Sequence, residues 1–182
     1  MISGILYVLH LMLIVSAYGS FDQDVNWSSA TSFHDFHARD LYGNNVSLEK
    51  YRGQVVIVFS GATRCPVSAK NFKQLQALYD KYNTDGLRIV TFIVDGLAKN
   101  SGTATEIQEY IKSINTPFDV YEKIVYDGDN AHPLYKWIKL QLPNQEKIQV
   151  SSKILIDKDG KVVDKYPATG PSDLEGAIKQ YL

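Results

Sequence analysis

Two uninterrupted apolar runs, QVVIVFSGA at residues 54–62 and LRIVTFIVD at residues 87–95, leave this chain few folds to choose from. Both are rich in β-branched residues and neither alternates, which is the pattern of a strand covered on both faces in a parallel sheet. Parallel neighbours need a crossover, and the segment between the runs supplies one. From Ser68 to Tyr82 the apolar positions Phe72, Leu75, Leu78, Tyr79 and Tyr82 recur at helical spacing, and Asp85-Gly86 provides a stop. The reading is a right-handed βαβ unit with the first run as the central strand.

The remaining segments extend that unit. A polar stretch runs to about Ser32, and SFHDFHARDLYGNNVSL after it offers two short strand-like pieces around the turn signal Gly43-Asn44-Asn45. Thr103 with Glu106 forms a capping box for a helix carrying Ile107, Tyr110, Ile111 and Ile114, which should end before Thr116-Pro117. A short strand-like piece follows at Asp119 to Val125, then a helix from about Pro133 with Leu134, Trp137 and Ile138 on one face. KILIDKDGKVVDKY reads as a hairpin turning at Asp159-Gly160, and Ser172 with Glu175 caps a last helix carrying Leu174, Ile178 and Leu182. With 45% hydrophobic residues in 182, one substantial core is within reach, and no repeat or Pro/Gly/Ser-rich linker divides the chain. A parallel pair extended by an antiparallel hairpin, with helices on both faces and an N-terminal β-hairpin, is an α/β sandwich with a central mixed sheet, the thioredoxin fold.

The first residues read differently from the rest. MISGILYVLHLMLIVSAYGS holds an apolar run from Ile5 to Ala17 followed by small residues, which marks residues 1–19 as a secretory signal cleaved near Gly19 and residues 20–182 as the domain. The run is shorter than the roughly 20 residues that span a bilayer, so stable membrane insertion is not expected. Two sequons, at Asn26 and Asn45, are candidate glycosylation sites on an exported, extracellular chain. Nineteen Lys and Arg against twenty Asp and Glu give a net charge of -1 with no single-sign block, which argues against nucleic acid as a partner.

An exported domain usually pairs its cysteines, yet this one has a single cysteine, Cys65. It falls between the central strand and the first helix, at the strand's carboxyl end, where open α/β sheets place their sites. Helix N-terminal amides and the Arg64 cation should lower its thiol pKa from a free value of about 8.5, and Pro66 suits the first helical turn. On position alone, a reactive thiolate and an inert packing cysteine stand as equal readings. A disulfide-exchange enzyme is disfavoured, because no C-x-x-C motif is present.

The segment GNNVSLEKYRGQVVIVFSGATRCPVSAKNFKQLQALYDKY strongly resembles the glutathione peroxidases, and EKIVYDGDNAHPLYKWIK and KILIDKDGKVVDKY match two further blocks of that family. The resemblance runs from about Ser32 to the C-terminus. It implies a thioredoxin fold and places Cys65 at the position of the peroxidatic cysteine or selenocysteine, whose thiolate attacks a hydroperoxide and becomes a sulfenic acid that thiols reduce. It also implies no bound cofactor, with hydrogen peroxide or an organic or lipid hydroperoxide as substrate. With no second cysteine to resolve the intermediate, glutathione or another external thiol would be the reductant. The short stretch between Lys139 and Lys153 resembles the monomeric, phospholipid-hydroperoxide-like subgroup.

The chain departs from that family around the cysteine. The supporting glutamine is not evident in TFIVDGLAKNSGT, where Asp95 and Gly96 stand at the usual place, and Gln149 and Val150 replace the tryptophan and asparagine in QVSSKILID. Ser60 replaces another asparagine. Losing preorganised donors costs about a hundredfold or more in rate each. Gln149, Thr63 and Ser60 are the candidate substitutes, with Arg64 as an electrostatic helper, whereas an Asp95 carboxylate close by would raise the thiol pKa. Two functional readings follow: a thiol-dependent peroxidase that responds to oxidative stress, or a catalytically weak or inactive secreted relative acting as a binding module.

Other polar residues read as structural. His34 and His37, three apart on an expected strand, would face opposite sides and stay exposed, so no metal site is expected there. His132 should cap its helix and Trp137 should pack in the core. The tyrosines are expected at core edges and on the surface.

Overall fold

A computed structural model describes residues 25–95, 101–168 and 174–182. The expected signal, Gly96 and the Ser172 cap lie outside the described residues. A small antiparallel pair, β1 (His37–Arg39) and β2 (Asn45–Ser47), precedes the main sheet. The sheet itself is built from β3 (Val55–Gly61), β4 (Leu87–Val94), β5 (Asp119–Ile124), β6 (Lys153–Ile156) and β7 (Val162–Tyr166), in the order β5-β4-β3-β6-β7. Among the described residues four helices accompany it: α1 (Pro66–Tyr82), α2 (Ala104–Ile114), α3 (Pro133–Gln141) and α4 (Leu174–Tyr181).

The continuous apolar runs are buried on both faces, as their composition requires. Every residue of β3 is buried, and it lies at the centre of the five strands. Val56 and Val58 of β3, Val90 and Phe92 of β4 and Ile154 and Ile156 of β6 join Leu134, Trp137 and Ile138 of α3 in one core layer. Val55, Ile57 and Phe59 face the other way, onto Phe72 and Leu75 of α1 and Leu174 and Ile178 of α4. Ile107 of α2 packs on Ile93 and Val120 at the sheet's edge. Truncating a fully buried leucine such as Leu75 to alanine in such a layer costs about 2–5 kcal/mol.

Three details differ from the sequence expectation. The sheet holds three parallel strands rather than two, because β5 pairs parallel to β4 after the α2 crossover. His34 is not on a strand and is not exposed: Phe33–Asp35 form a single 3-10 turn capped by Ser32, and His34 is buried with Nδ1 3.1 Å from Ser32 Oγ. Phe33 and Phe36 both enter the core, and a turn rather than an extended strand places both there. His37, on β1, is exposed as expected. Finally, Tyr51, Tyr121 and Tyr135 are fully buried rather than at the core's edge. Their hydroxyls find partners inside: Tyr51 donates to Asp119 at 2.6 Å and meets Tyr121 at 2.7 Å, and Tyr135 meets Ser60 at 2.9 Å.

Candidate active site

Strand β3 delivers the chain to the site and α1 carries it away. Gly61, the last residue of β3, is closely surrounded: a Cβ would stand 3.0 Å from Thr91 Cγ2 and 3.1 Å from Phe72 Cζ, tight enough that these side chains would have to shift, so glycine suits the close approach of α1 to the sheet. Cys65 then occupies the N-cap of α1 in extended conformation (φ -109°, ψ 117°), with Pro66 as the first helical residue. The helix thus starts two residues earlier than its apolar periodicity predicts, since Pro66 and Val67 contribute nothing to the buried face. Cys65 is partly exposed and makes no disulfide.

Burial pushes the Cys65 thiol pKa up, but hydrogen bonding to the charged form outweighs it and holds the thiol below its ordinary value. The N–H groups of Ser68 and Val67 and the hydroxyls of Ser68 and Ser151 supply this stabilisation. As a thiol, Cys65 makes no cap hydrogen bond of its own, so the amides of the first turn wait for negative charge. The two hydroxyls stand 2.6 Å apart, and Ser68 Oγ accepts from the Ala62 N–H at 3.1 Å. Tyr110 of α2 also faces this corner: burial raises its phenol pKa, and the Cys65 charge raises it further.

Ser151 reaches the site from the stretch before β6. Its N–H donates to Ser60 O at 2.7 Å, the Ser60 N–H donates to Ser152 O at 3.1 Å, and the Gln149 N–H donates to Ser152 Oγ at 3.0 Å. Ser151 itself takes φ 67°, a left-handed backbone unusual for a residue with a side chain.

The residues singled out in the sequence are distributed differently. Thr63 donates its hydroxyl to Ser101 O, and Ser60 is taken up by Tyr135. Gln149 is exposed. Arg64 pairs with Glu106 at 2.7 Å, so its charge is shared with a carboxylate on α2. Asp95 accepts from the Ser101 N–H at 2.7 Å and lies 3.5 Å from Lys123, which offsets its charge. His132 caps α3 by accepting from the Leu134 N–H at 3.3 Å, and Trp137 is buried with its indole N–H on Ala30 O at 3.0 Å. Asn26 and Asn45 are both exposed. The two serines nearest in role, Ser68 and Ser151, differ in how far the sequence marks them. Ser68 stands one helical turn after Cys65, a readable spacing, while nothing in the sequence marks Ser151.

Fold and site together define a thioredoxin-fold protein with its single cysteine, partly exposed, at the N-terminus of α1. The family model described as glutathione peroxidase matches residues 33–139. Phospholipid hydroperoxide glutathione peroxidases of Callithrix jacchus and Mus musculus are each 39% identical, over 86% of this chain and 83% of the relative. The crystal structure of Trgpx in apo form matches with a TM-score of 0.68 at 30% identity, covering 84% of this chain and 96% of that one. A thioredoxin-family thiol:disulfide interchange protein from Chlorobium tepidum matches with a TM-score of 0.61 at 18% identity, over 80% of this chain and 92% of the other, a likeness of fold. The chain belongs to the glutathione peroxidase family.

Proposed function

We propose that the protein is a single-cysteine peroxidase in which Cys65 is the peroxidatic nucleophile. One observation carries this: the sole cysteine is partly exposed at the N-terminus of α1 with its thiolate favoured by hydrogen bonds. The thiolate attacks one peroxide oxygen, the S–O bond forms as the O–O bond breaks, and the leaving alkoxide takes a proton and departs as an alcohol or water. The sulfenic acid condenses with an external thiol to give a mixed disulfide and water. A second thiol attacks the outer sulfur of that mixed disulfide, the S–S bond to Cys65 breaks, and the disulfide of the two external thiols departs as the Cys65 thiolate is restored.

Glutathione is the proposed reductant, since the sequence contains no other cysteine to resolve the intermediate internally. Hydrogen peroxide and organic or lipid hydroperoxides are the proposed substrates, the latter drawing support from the phospholipid hydroperoxide peroxidases among the relatives. No metal or bound cofactor enters this cycle. Among the described residues no helix is long and apolar enough to cross a membrane. The proposed form is an exported monomer, with residues 1–19 as its signal and the exposed Asn26 and Asn45 as glycan acceptors.

The exposure of Gln149 favours a second reading, in which a depleted shell leaves a weak or inactive binding protein. One assay separates them. Mature protein receives hydrogen peroxide or a lipid hydroperoxide together with glutathione, beside a Cys65→Ser variant. Thiol-dependent turnover confined to the wild type supports the enzyme, and equal rates in both would leave only the binding role.

A further inference from the structure

We infer that Ser68 and Ser151 form a purpose-built donor pair for the Cys65 thiolate, in place of the amide and indole donors this sequence lacks. The inference rests on the peroxidase reading above. The two serines come from opposite sides of the site and from positions 83 residues apart, yet their hydroxyls meet at 2.6 Å. Both are sealed from solvent, at 0% and 1% exposure.

The proton inventory requires a third group. A hydroxyl carries one proton and two acceptor lone pairs. Ser68 Oγ already accepts from the Ala62 N–H. Between them the serines hold two O–H protons, and their mutual contact uses only one. The other must find an acceptor or stay buried without a partner, which is unfavourable. Cys65 caps the helix whose third residue is Ser68, and both hydroxyls favour its thiolate, so that proton falls to the Cys65 sulfur once it is charged. When Ser151 donates to Ser68, Ser68 donates to the sulfur, and each bond in such a chain polarises the next.

The backbone at Ser151 points to the same role. At φ 67° glycine is the unstrained choice, because a Cβ crowds the following carbonyl in the left-handed region. The ladder of bonds between Ser60 and residues 151–152 holds the strained turn in place and aims the Ser151 hydroxyl at α1. Strain kept at a buried position beside the nucleophile is the pattern expected where the side chain has a task.

The test is the pH profile of Cys65 alkylation by iodoacetamide, measured on the full chain alongside thermal unfolding. Ser151→Gly removes the hydroxyl and relieves the backbone, so its melting temperature should hold or rise while the thiol pKa climbs by about one unit. Ser68→Ala should raise the pKa similarly, and Ser68→Thr, which keeps the hydroxyl, should restore the wild-type titration. Sulfenic acid formation near neutral pH should fall about tenfold in the first two variants, following the lost thiolate. A folded Ser151→Gly protein that titrates and oxidises like wild type overturns the inference and leaves the peroxidase standing. A wild type that forms no sulfenic acid overturns the peroxidase reading, while the titration still decides whether the serines hold the thiolate.

Discussion

Helices α1 and α3 begin alike and end up chemically opposite. Each has a titratable side chain at its N-cap, Cys65 or His132, and a proline as its first residue. At α3 the imidazole lies against the Phe92 ring, with centroids 5.7 Å apart, and burial pushes its pKa down to about 4. It serves as a neutral acceptor for the Leu134 N–H. At α1 Cys65 is partly exposed, and donors gather where its negative charge would sit. A helix N-terminus offers the same dipole in both places. What separates a structural cap from a reactive one is what surrounds it, an aromatic ring at His132 and a supply of donors at Cys65.

Exchanging or removing these groups should therefore produce unlike effects. The largest is Cys65→Ser, which should abolish thiol-dependent peroxide reduction with little change in thermal stability. His132→Asn, which keeps a good cap, should leave turnover in place, and steady-state assays of both variants check the contrast.

Next comes acid sensitivity. His132 binds its proton near 6.5 when unfolded and near 4 when folded, so the unfolded chain holds more protons between those values. The His132 contribution is complete above about pH 6.5 and is lost as pH drops towards 4, by roughly 3 kcal/mol at about 1.4 kcal/mol per unit. Buried His34, whose pKa is also lowered, adds in the same direction. Urea unfolding at several pH values should show this slope, flattened but not removed in His132→Asn.

Smaller still is the cap itself. His132→Ala should lose about 1–2 kcal/mol at pH 7, or a few degrees in melting temperature, with an unchanged Cys65 alkylation profile. Least of all, Arg64→Ala should leave the Cys65 profile almost unmoved, because its guanidinium is engaged by Glu106 in an exposed pair of the kind worth about 0–1 kcal/mol.

Legibility in the sequence followed the range of the interactions. The buried runs announced β3 and β4 because a two-sided apolar environment leaves an unbroken apolar pattern. Cys65 was readable as a candidate because a strand, a proline and a helical period bracket it within a dozen residues. β5 was readable as an element but not as a third parallel strand, since its edge position lets Asp119, Glu122 and Lys123 interrupt the apolar pattern. The turn at His34 was hidden because two aromatic residues three apart fit either a strand or a turn until the core claims both. The buried tyrosines were unreadable because their partners are distant in sequence, as Asp119 is from Tyr51. Ser151 was invisible for a related reason: its left-handed backbone carries a side chain where glycine would have marked a turn, and its partner Ser68 lies on another element. Thr63 and Ser60 were plausible donors by proximity in sequence and Gln149 by its place in the family pattern, but the first two hydroxyls are engaged by Ser101 and Tyr135 and Gln149 is exposed.

The most direct test is mass spectrometry of Cys65 after one equivalent of peroxide, with and without glutathione. The expected result is a single added oxygen on the Cys65 peptide, converted by glutathione to a mixed disulfide and then back to the thiol. A Cys65 that stays unoxidised while the protein remains folded would contradict the central claim, and would make the N-terminus of α1 as inert as that of α3.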